Sequence, residues 1–176
     1  LPRLLFMVVY NRAGLFIIQQ GGNALVKLEK MNSNEFQRYL SFAIKNYASE
    51  HVKAGNWDES EAVDKAAQEY ENLLPDGEKT TNQYLFTIRD EEHEVGIIWL
   101  AKRSAEKGFI YDIYIREEHQ GQGYGKKAME EIEKEAKNLG LKSIGLHVFG
   151  HNAAARGLYE KIGYMETDIL MEKKLT

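Results

Sequence analysis

The segment HQGQGYGKKAM, residues 119–129, carries three glycines at alternate positions, followed by two lysines and by apolar residues at helical spacing. Glycine lets the backbone approach a bulky anion with no side chain in the way. The N–H groups at the start of a helix point outward, and the helix dipole favours negative charge there. The segment therefore predicts a phosphate-binding turn between a strand and a helix. The alternative is a tight turn without a ligand, but such a turn needs only one glycine.

Two common phosphate-binding patterns do not fit this turn. The P-loop pattern GxxxxGK[ST] requires a glycine and a hydroxyl residue where the chain has Gln120 and Lys127. The dinucleotide pattern GxGxxG fits Gly121 and Gly123, but its third position is Lys126 and no acidic residue closes the following strand. A nucleotide-binding oxidoreductase is therefore kept only as an alternative, which binding of NAD would reveal.

A third pattern, Q/R-x-x-G-x-G/A, is matched by Gln120, Gly123 and Gly125. Downstream, HNAAARGLYEKIGY (residues 151–164) has an Asn followed by a helix of the form A-x-x-LYEKxGF, with Tyr164 in place of the usual Phe. Together these segments resemble the two signatures of the GNAT N-acetyltransferase superfamily. The resemblance covers about residues 25–175 and implies that the turn holds the pyrophosphate of coenzyme A.

The resemblance implies an acetyl-CoA-dependent N-acetyltransferase that acts on a small-molecule amine or a protein amino group. Acetyl-CoA would be the cosubstrate, without a metal. Since the chain has no cysteine, an acetyl-cysteine intermediate is excluded and the amine attacks the thioester directly in a ternary complex. The alternative is a non-catalytic acyl-CoA-binding or regulatory module on the same fold. The residues expected to bind the cofactor are Ile113, Tyr114, Ile115, Gln120, Gly121, Gln122, Gly123, Tyr124, Gly125, Lys126 and Asn152.

Two residues are the candidates for proton transfer. The resemblance implies that Tyr159 protonates the leaving sulfur, although it also lies on an apolar helix face and could simply pack there. Asp112, on the strand before the glycine turn, could take the proton of the amine through a water, but the sequence leaves its face of the sheet open. Asn152 begins a helix and is also a natural N-cap, so its cofactor role competes with capping.

The acceptor site has the weakest signal. In the fold that the resemblance implies, the connection between the first two helices lines this site, and here it contains Trp57 beside Glu50, Asp58 and Glu59. These residues could bind a cationic amine, or Trp57 could be a buried residue of an ordinary turn. His147 lies in a predicted strand and could contact the substrate or act as a base, or it could be structural. Its spacing from His151 does not predict a metal site.

The elements that must position these residues follow from periodicity. The chain predicts a strand at 25–29, helices at 32–54 and from about 58 to 74, and strands at 83–88, 94–101 and 108–115. Asn32 and Glu35 have the spacing of a capping box for the first helix. The charged segment DEEHE, residues 90–94, is expected to be a solvent-exposed hairpin tip. A helix at 126–139, a strand at 143–149, a helix at 152–162 and a strand at 167–175 follow. This order predicts an α/β fold with a mixed, partly antiparallel central sheet flanked by helices, the GNAT acyl-CoA N-acyltransferase fold that the resemblance also implies.

Composition limits the alternatives. The 176 residues are enough for one domain, and the net charge of −4 argues against general nucleic-acid binding. The absence of cysteine is compatible with a reducing cytoplasm, where we expect the protein to work, without a membrane and as a monomer or homodimer. Residues 1–24 are expected to be either an N-terminal extension outside the native domain of residues 25–176 or a short hairpin turning at Arg12-Ala13-Gly14.

Overall fold

The computed structural model of the protein describes residues 25–91, 93–171, 173 and 175, so the expectations for residues 1–24 lie outside the described residues. The regular elements, in chain order, are β1 (Val26–Lys30), α1 (Ser33–Lys53), α2 (Glu59–Leu73), β2 (Gln83–Asp90), β3 (His93–Lys102), β4 (Lys107–Ile115), α3 (Tyr124–Asn138), β5 (Ser143–Leu146) and α4 (Ala153–Lys161). No helix within these described ranges is both long enough and apolar enough to cross a bilayer.

The five strands form one sheet in the order β1-β2-β3-β4-β5. The first four strands pair antiparallel, because short turns connect them or a helical pair returns the chain to the neighbouring edge. The last pair, β4 and β5, is parallel, since α3 carries the chain back across the sheet between them. The mixed, partly antiparallel sheet expected from the sequence is therefore confirmed.

The helices cover both faces of the sheet and divide the core into two layers. On one face, α1 and α2 form an aromatic layer with the sheet, in which Tyr47 of α1 lies in the same cluster as the fully buried Trp99 of β3. On the other face, α3 and α4 form a mainly aliphatic layer with the sheet, in which Met129 of α3 lies in the same cluster as Ile98 and Leu100 of β3. Alternation along β3 sends Trp99 to one layer and its two neighbours to the other.

The N-terminus of α1 is fixed by a reciprocal pair of hydrogen bonds. The side chain of Asn32 accepts a hydrogen bond from Glu35 N at 3.0 Å, and the carboxylate of Glu35 accepts one from Asn32 N at 2.9 Å. This capping box, expected from the spacing of the two residues, satisfies two helix-end donors that would otherwise lack partners. It thereby sets where α1 starts across the sheet.

Two element boundaries and one whole strand differ from the sequence prediction. Helix α3 begins at Tyr124, two residues earlier than expected, because Gly123 supplies its N-cap. Strand β5 ends at Leu146, so His147 follows the strand. The strand predicted at 167–175 is wrong for the residues described there, none of which is in a strand, and Ile169 and Leu170 are exposed. Alternating polarity predicts a strand only where a neighbouring edge offers hydrogen-bond partners.

Candidate active site

A β-bulge in β4 decides which way Asp112 faces. Asp112 pairs with Trp99 of β3, whereas Ile110 pairs with Leu100, so Tyr111 is an extra residue on β4. A bulge of this kind breaks strict alternation and redirects the neighbouring side chain. Asp112 consequently points toward the α1–α2 layer, where Tyr39 of α1 contacts it. The structure thus settles the orientation that the sequence left open.

Asp112 is a buried carboxyl with only part of its hydrogen-bonding capacity used. Its side chain is 6% exposed, and its Oδ2 accepts a hydrogen bond from Tyr39 Oη at 2.9 Å. Within the described residues, its Oδ1 has no hydrogen-bond partner. Burial raises the pKa of Asp112 to about 7, against the opposing effects of the hydrogen bond from Tyr39 and, after it, of the backbone N–H of Ile113. A carboxyl with this pKa can accept and release a proton near neutral pH.

Two tyrosines stand behind this carboxyl. Tyr39 Oη lies 3.5 Å from Tyr70 Oη of α2, and both rings are buried. Burial, and then the charge of Asp112, raises the pKa of both phenols well above the usual value. Because Tyr39 stays protonated, it remains a hydrogen-bond donor to Asp112 over the whole physiological pH range. The sequence carries no signal for a tyrosine that donates to Asp112, because both tyrosines fit the apolar faces of their helices.

Strands β4 and β5 part beside Asp112. Their regular pairing ends at Ile110 and Leu146, while β4 continues to Ile115. The outer edge of Ile113, Tyr114 and Ile115 therefore lies beyond the regular pairing of β4 with β5. Peptide groups at such an edge can hydrogen-bond an extended ligand. The cofactor-binding role of these three residues stays a prediction.

Tyr159, the candidate acid, lies on α4 and is 3% exposed. It packs in the α3–α4 layer, with its ring centroid 5.8 Å from that of Tyr164. Burial raises the pKa of Tyr159 well above its usual value, and the charge of Asp112 adds to the effect. The two candidate proton-transfer groups are therefore close enough to interact electrostatically, although they belong to opposite layers. The phenol is therefore protonated at neutral pH and has a proton to donate.

The glycine turn has the backbone conformation that only glycine adopts readily. Gly121 and Gly123 have φ values of 74° and 88°, and an added Cβ at either residue would meet no atom within 4 Å. Gly125 differs, because its Cβ would contact the side chain of Leu158 at 3.4 Å. The first two glycines are thus required by the turn's geometry, and the space outside them is open to a ligand.

The donors of this turn are unused. Gly123 is the N-cap of α3, and none of the described residues accepts a hydrogen bond from the backbone N–H groups of residues 121–126. Six consecutive N–H groups at a helix N-terminus form a ready site for an anion such as a pyrophosphate. Lys126 adds an exposed ammonium, 3.7 Å from Glu130. The residues present therefore fit the group that the sequence predicts.

The other polar side chains of the turn brace it. Gln120 Nε2 donates to the carbonyl of Ile115 at 2.9 Å, and Gln122 Nε2 donates to the carbonyl of Glu118 at the same distance. The first bond ties the turn to the end of β4, and the second ties it to the short helical turn of residues 117–119. Their use in bracing leaves the backbone N–H groups as the donors that face outward.

Tyr124 and Asn152 also have structural partners. Tyr124 is buried and its hydroxyl donates to Asp90 of β2, a bond that raises the pKa of Tyr124 to about 12. Asn152 caps α4, where its Oδ1 accepts a hydrogen bond from Ala155 N at 3.1 Å. Its capping role is therefore present, and its contact with the cofactor arm stays a prediction, as does that of Tyr124.

The predicted acceptor residues lie in an aromatic cluster at the C-terminal end of α1. Trp57 is half-buried and stacks on His51 at 3.9 Å between ring centroids. His147 lies 5.9 Å from Phe149, which packs edge-on against His51. Burial lowers the pKa of His51 and of His147 to about 4, so both rings are neutral at pH 7. A neutral His147 with this pKa is a weak base.

Glu50, the acidic residue beside Trp57, is already engaged. Its carboxylate accepts from His151 Nε2 at 2.6 Å and from Lys53 Nζ at 2.6 Å. The bond from His151 joins α1 to the loop before α4. Together the two bonds use acceptor capacity of the Glu50 carboxylate that a cationic amine would need. The substrate roles of Trp57 and His147 stay predictions. Among the described residues, no group of three or more His, Cys, Asp or Glu side chains could hold a metal.

Comparisons with known proteins identify the family of the chain. Residues 43–164 match the model of the acetyltransferase (GNAT) family. The chain is 38% identical over 154 residues to an uncharacterised N-acetyltransferase, YycN, of Bacillus subtilis (strain 168), covering 85% of this chain and 99% of the relative. It is 35% identical over 152 residues to a second one from that strain, YdgE, covering 84% and 97% of the two chains.

Solved structures show the same fold. The crystal structure of YycN from Bacillus subtilis superposes with a TM-score of 0.83 at 37% identity, covering 86% of this chain and 99% of that one. A predicted acetyltransferase with acetyl-CoA from Clostridium acetobutylicum shares the fold at 16% identity and a TM-score of 0.59, covering 85% and 96% of the chains. The expected family and enzyme class are confirmed: the chain belongs to the GNAT family and is an acetyl-CoA-dependent N-acetyltransferase.

Proposed function

We propose that the protein transfers the acetyl group of acetyl-CoA to a primary amine by direct attack in a ternary complex, with Asp112 as the general base and Tyr159 as the general acid. The observation that carries the proposal is the buried carboxyl of Asp112, with one unpartnered oxygen, beside the point where β4 and β5 separate. This placement brings a proton acceptor to the edge that would hold the thioester.

Acetyl-CoA fits the described residues in two places. The unused N–H groups of residues 121–126 would bind its pyrophosphate, and the edge of residues 113–115 would bind its pantetheine arm. The fold shared with the Clostridium acetobutylicum protein, whose structure contains acetyl-CoA, supports this assignment. A cytoplasmic location is a further part of the proposal and rests on the sequence alone.

The reaction then requires two proton transfers. The amine nitrogen attacks the thioester carbon, and its proton passes to Asp112 directly or through a water. The carbon–sulfur bond breaks, and the thiolate takes a proton from the Tyr159 hydroxyl. The proton that Asp112 accepted then passes through water to the Tyr159 phenolate, which restores both groups. Because burial keeps the pKa of Asp112 near 7 and that of Tyr159 far above it, each group holds the protonation state that its role needs at neutral pH.

The first experiment is calorimetric titration with acetyl-CoA, with NAD and ATP as controls, followed by an assay of thiol release with a panel of primary amines. We expect acetyl-CoA alone to bind, with a micromolar dissociation constant, and at least one amine to release the thiol. Binding without thiol release from any amine would favour the non-catalytic module. Binding of NAD instead of acetyl-CoA would contradict the proposal altogether.

A further inference from the structure

A cavity of about 310 Å³ lies between the first half of α1 and the sheet, on the same face as Asp112. Its walls come from α1, β2, β3 and the end of β4. The predicted acceptor residues Trp57 and His147 do not line it. Asp112 itself does not line the cavity, but Tyr39, its hydrogen-bond partner, forms part of the wall.

Two arginines share a single carboxylate at this cavity. Glu94 Oε1 accepts a hydrogen bond from Arg116 Nη2 at 2.6 Å, and Glu94 Oε2 accepts one from Arg38 Nη2 at 3.3 Å. A guanidinium carries several N–H donors, so each arginine keeps donors for a ligand. The side chain of Arg116 is 39% exposed and that of Arg38 is 61% exposed, so a ligand in solution can reach both. Planar, bidentate pairing makes a carboxylate the natural partner for such donors.

The remaining carboxylates of the cavity do not block this pairing. Glu35 is bound to Arg89 and to the N-cap of α1, and it is 8% exposed. Glu118 is exposed to solvent. The buried negative charge of Glu35 is thus compensated by Arg89, and the single charge of Glu94 is shared by two guanidinium groups.

The interior of the cavity has a polar group that lacks a partner. Thr87 of β2 is 1% exposed, lines the cavity and, within the described residues, has no hydrogen-bond partner for Oγ1. Native structures rarely leave a buried hydroxyl unsatisfied, so this group points to a ligand or a water. Phe42 and Tyr114 add an aromatic wall, with ring centroids 4.8 Å apart. A small ligand with apolar and polar parts fits this lining.

We propose that this cavity binds the carboxylate end of the acceptor, and that the enzyme therefore acetylates small primary amines that also carry a carboxylate. This inference rests on the proposed acetyl transfer, because it takes Asp112 as the place where the amine reacts. The carboxylate would pair with Arg38 and Arg116, and the chain of the acceptor would pass the Phe42–Tyr114 wall toward Asp112.

The distance between Asp112, where the amine would react, and Arg116, which would bind the carboxylate, limits the class of acceptor. Asp112 and Arg116 are four residues apart on one strand end, or about 13 Å at roughly 3.3 Å per residue. The arginine side chain shortens this span but does not remove it. The amine and the carboxylate should thus be several bonds apart, as in a linear ω-amino carboxylate. An α-amino acid reacting at its α-amine is too short.

The test uses a series of linear ω-amino carboxylates, from β-alanine to longer homologues, each paired with its ω-amino amide. We expect each long acid to exceed its amide by about tenfold or more in kcat/KM, because the amide cannot form the charge-assisted pair. Arg38→Gln and Arg116→Gln should each reduce this ratio, mainly by raising KM for the acid. Lys134→Gln, which removes an exposed cation on α3, is the control and should leave the ratio unchanged.

Equal kcat/KM for acids and amides in the wild-type enzyme would overturn the inference while leaving the proposed acetyl transfer intact. An acid-to-amide ratio of kcat/KM that is unchanged in Arg38→Gln and in Arg116→Gln would also overturn the inference and leave the proposed acetyl transfer intact. Calorimetric titration of the protein with the acid separates the two proposals further. Arginine-dependent binding of an acid that is never acetylated would overturn its role as the acceptor, and the absence of acetylation of every amine would count against the proposed function itself.

Discussion

The hydroxyl of Tyr39 donates a hydrogen bond to Asp112 Oδ2 at 2.9 Å, joining α1 to the bulged part of β4 across 73 positions of the chain. The bond holds one carboxylate oxygen in a fixed place, and in the proposed mechanism the other oxygen accepts the proton. It also opposes the effect of burial on the pKa of Asp112. Tyr39 is therefore a positioning residue, whose removal should change the pH dependence of the reaction in a defined direction.

Tyr39→Phe should move the acidic limb of the kcat/KM profile to higher pH. Without the donor, the charged form of Asp112 loses a hydrogen bond, so its pKa rises above the value of about 7. A hydrogen bond to a charged group contributes about 1.5–3 kcal/mol, which corresponds to roughly one to two pH units. The profile is measured with one amine throughout, so that the amine's own titration cancels.

Tyr70→Phe is the matched control for Tyr39→Phe. Tyr70 is equally buried, but its Oη lies 3.5 Å from Tyr39 Oη and makes no hydrogen bond to Asp112. Its substitution should shift the profile much less. Superimposable profiles of Tyr39→Phe and the wild-type enzyme would show that Asp112 does not govern the acidic limb.

Asp112→Asn should stabilise the fold at high pH. Burial raises the pKa of Asp112 from 3.8 to about 7 in the folded state, so folding favours the protonated carboxyl. The stability that protonated Asp112 contributes is complete below pH 3.8 and is lost as pH rises through 7. The free energy of unfolding of Asp112→Asn should therefore exceed that of the wild type above pH 7, by an amount on the order of 4 kcal/mol at most.

Urea denaturation at several pH values measures this difference. The exposed carboxyl of Asp64 on α2 serves as a control, because Asp64→Asn removes a negative charge without changing the buried site. A stability difference between Asp112→Asn and the wild type that is flat from pH 4 to pH 8 would contradict the raised pKa.

Gly123→Ala and Gly140→Ala separate backbone strain from ligand binding. The two residues flank α3, with φ values of 88° and 78°, and at neither does an added Cβ meet an atom within 4 Å. Each substitution should cost about 1 kcal/mol of stability, because non-glycine residues are strained in this region. Only Gly123→Ala should weaken acetyl-CoA binding, since only this glycine lies in the predicted pyrophosphate turn. Equal dissociation constants for the two variants would place the anion elsewhere.

Tyr159→Phe should lower kcat by about two orders of magnitude if the phenol protonates the leaving sulfur. The ring is buried and stays in place, so the fold and the dissociation constant of acetyl-CoA should change little. Tyr164→Phe, in the neighbouring ring, is the control. An unaltered kcat in Tyr159→Phe would leave this residue a packing role alone.

The residues that the sequence located and those that it missed differ in a physical way. The glycine turn, the capping box of Asn32 and the apolar helix faces depend on neighbours within a few residues, and all were predicted. Asp112 was found by type and place, but its direction depends on a bulge that only pairing with β3 reveals. Local periodicity carries no information about such an irregularity.

The cavity could not be predicted because its charged residues meet from distant parts of the chain. Arg38 lies 56 positions from Glu94, and Arg116 lies 22 positions from it. From the sequence, Glu94 belongs to a charged hairpin tip that is expected to face water. Its role between two arginines arises from the crossing of α1 over the end of the sheet, which no short segment encodes.

The most direct test of the account measures acetylation and acetyl-CoA binding in the same two proteins, wild type and Asp112→Asn. Mass spectrometry follows the acetylated amine, and calorimetry gives the dissociation constant. The account predicts that the substitution lowers kcat by about 10²–10⁴-fold while acetyl-CoA binds equally well. Equal turnover by the two proteins would contradict the assignment of Asp112 as the base, and no acetylated product from the wild type would contradict acetyl transfer itself.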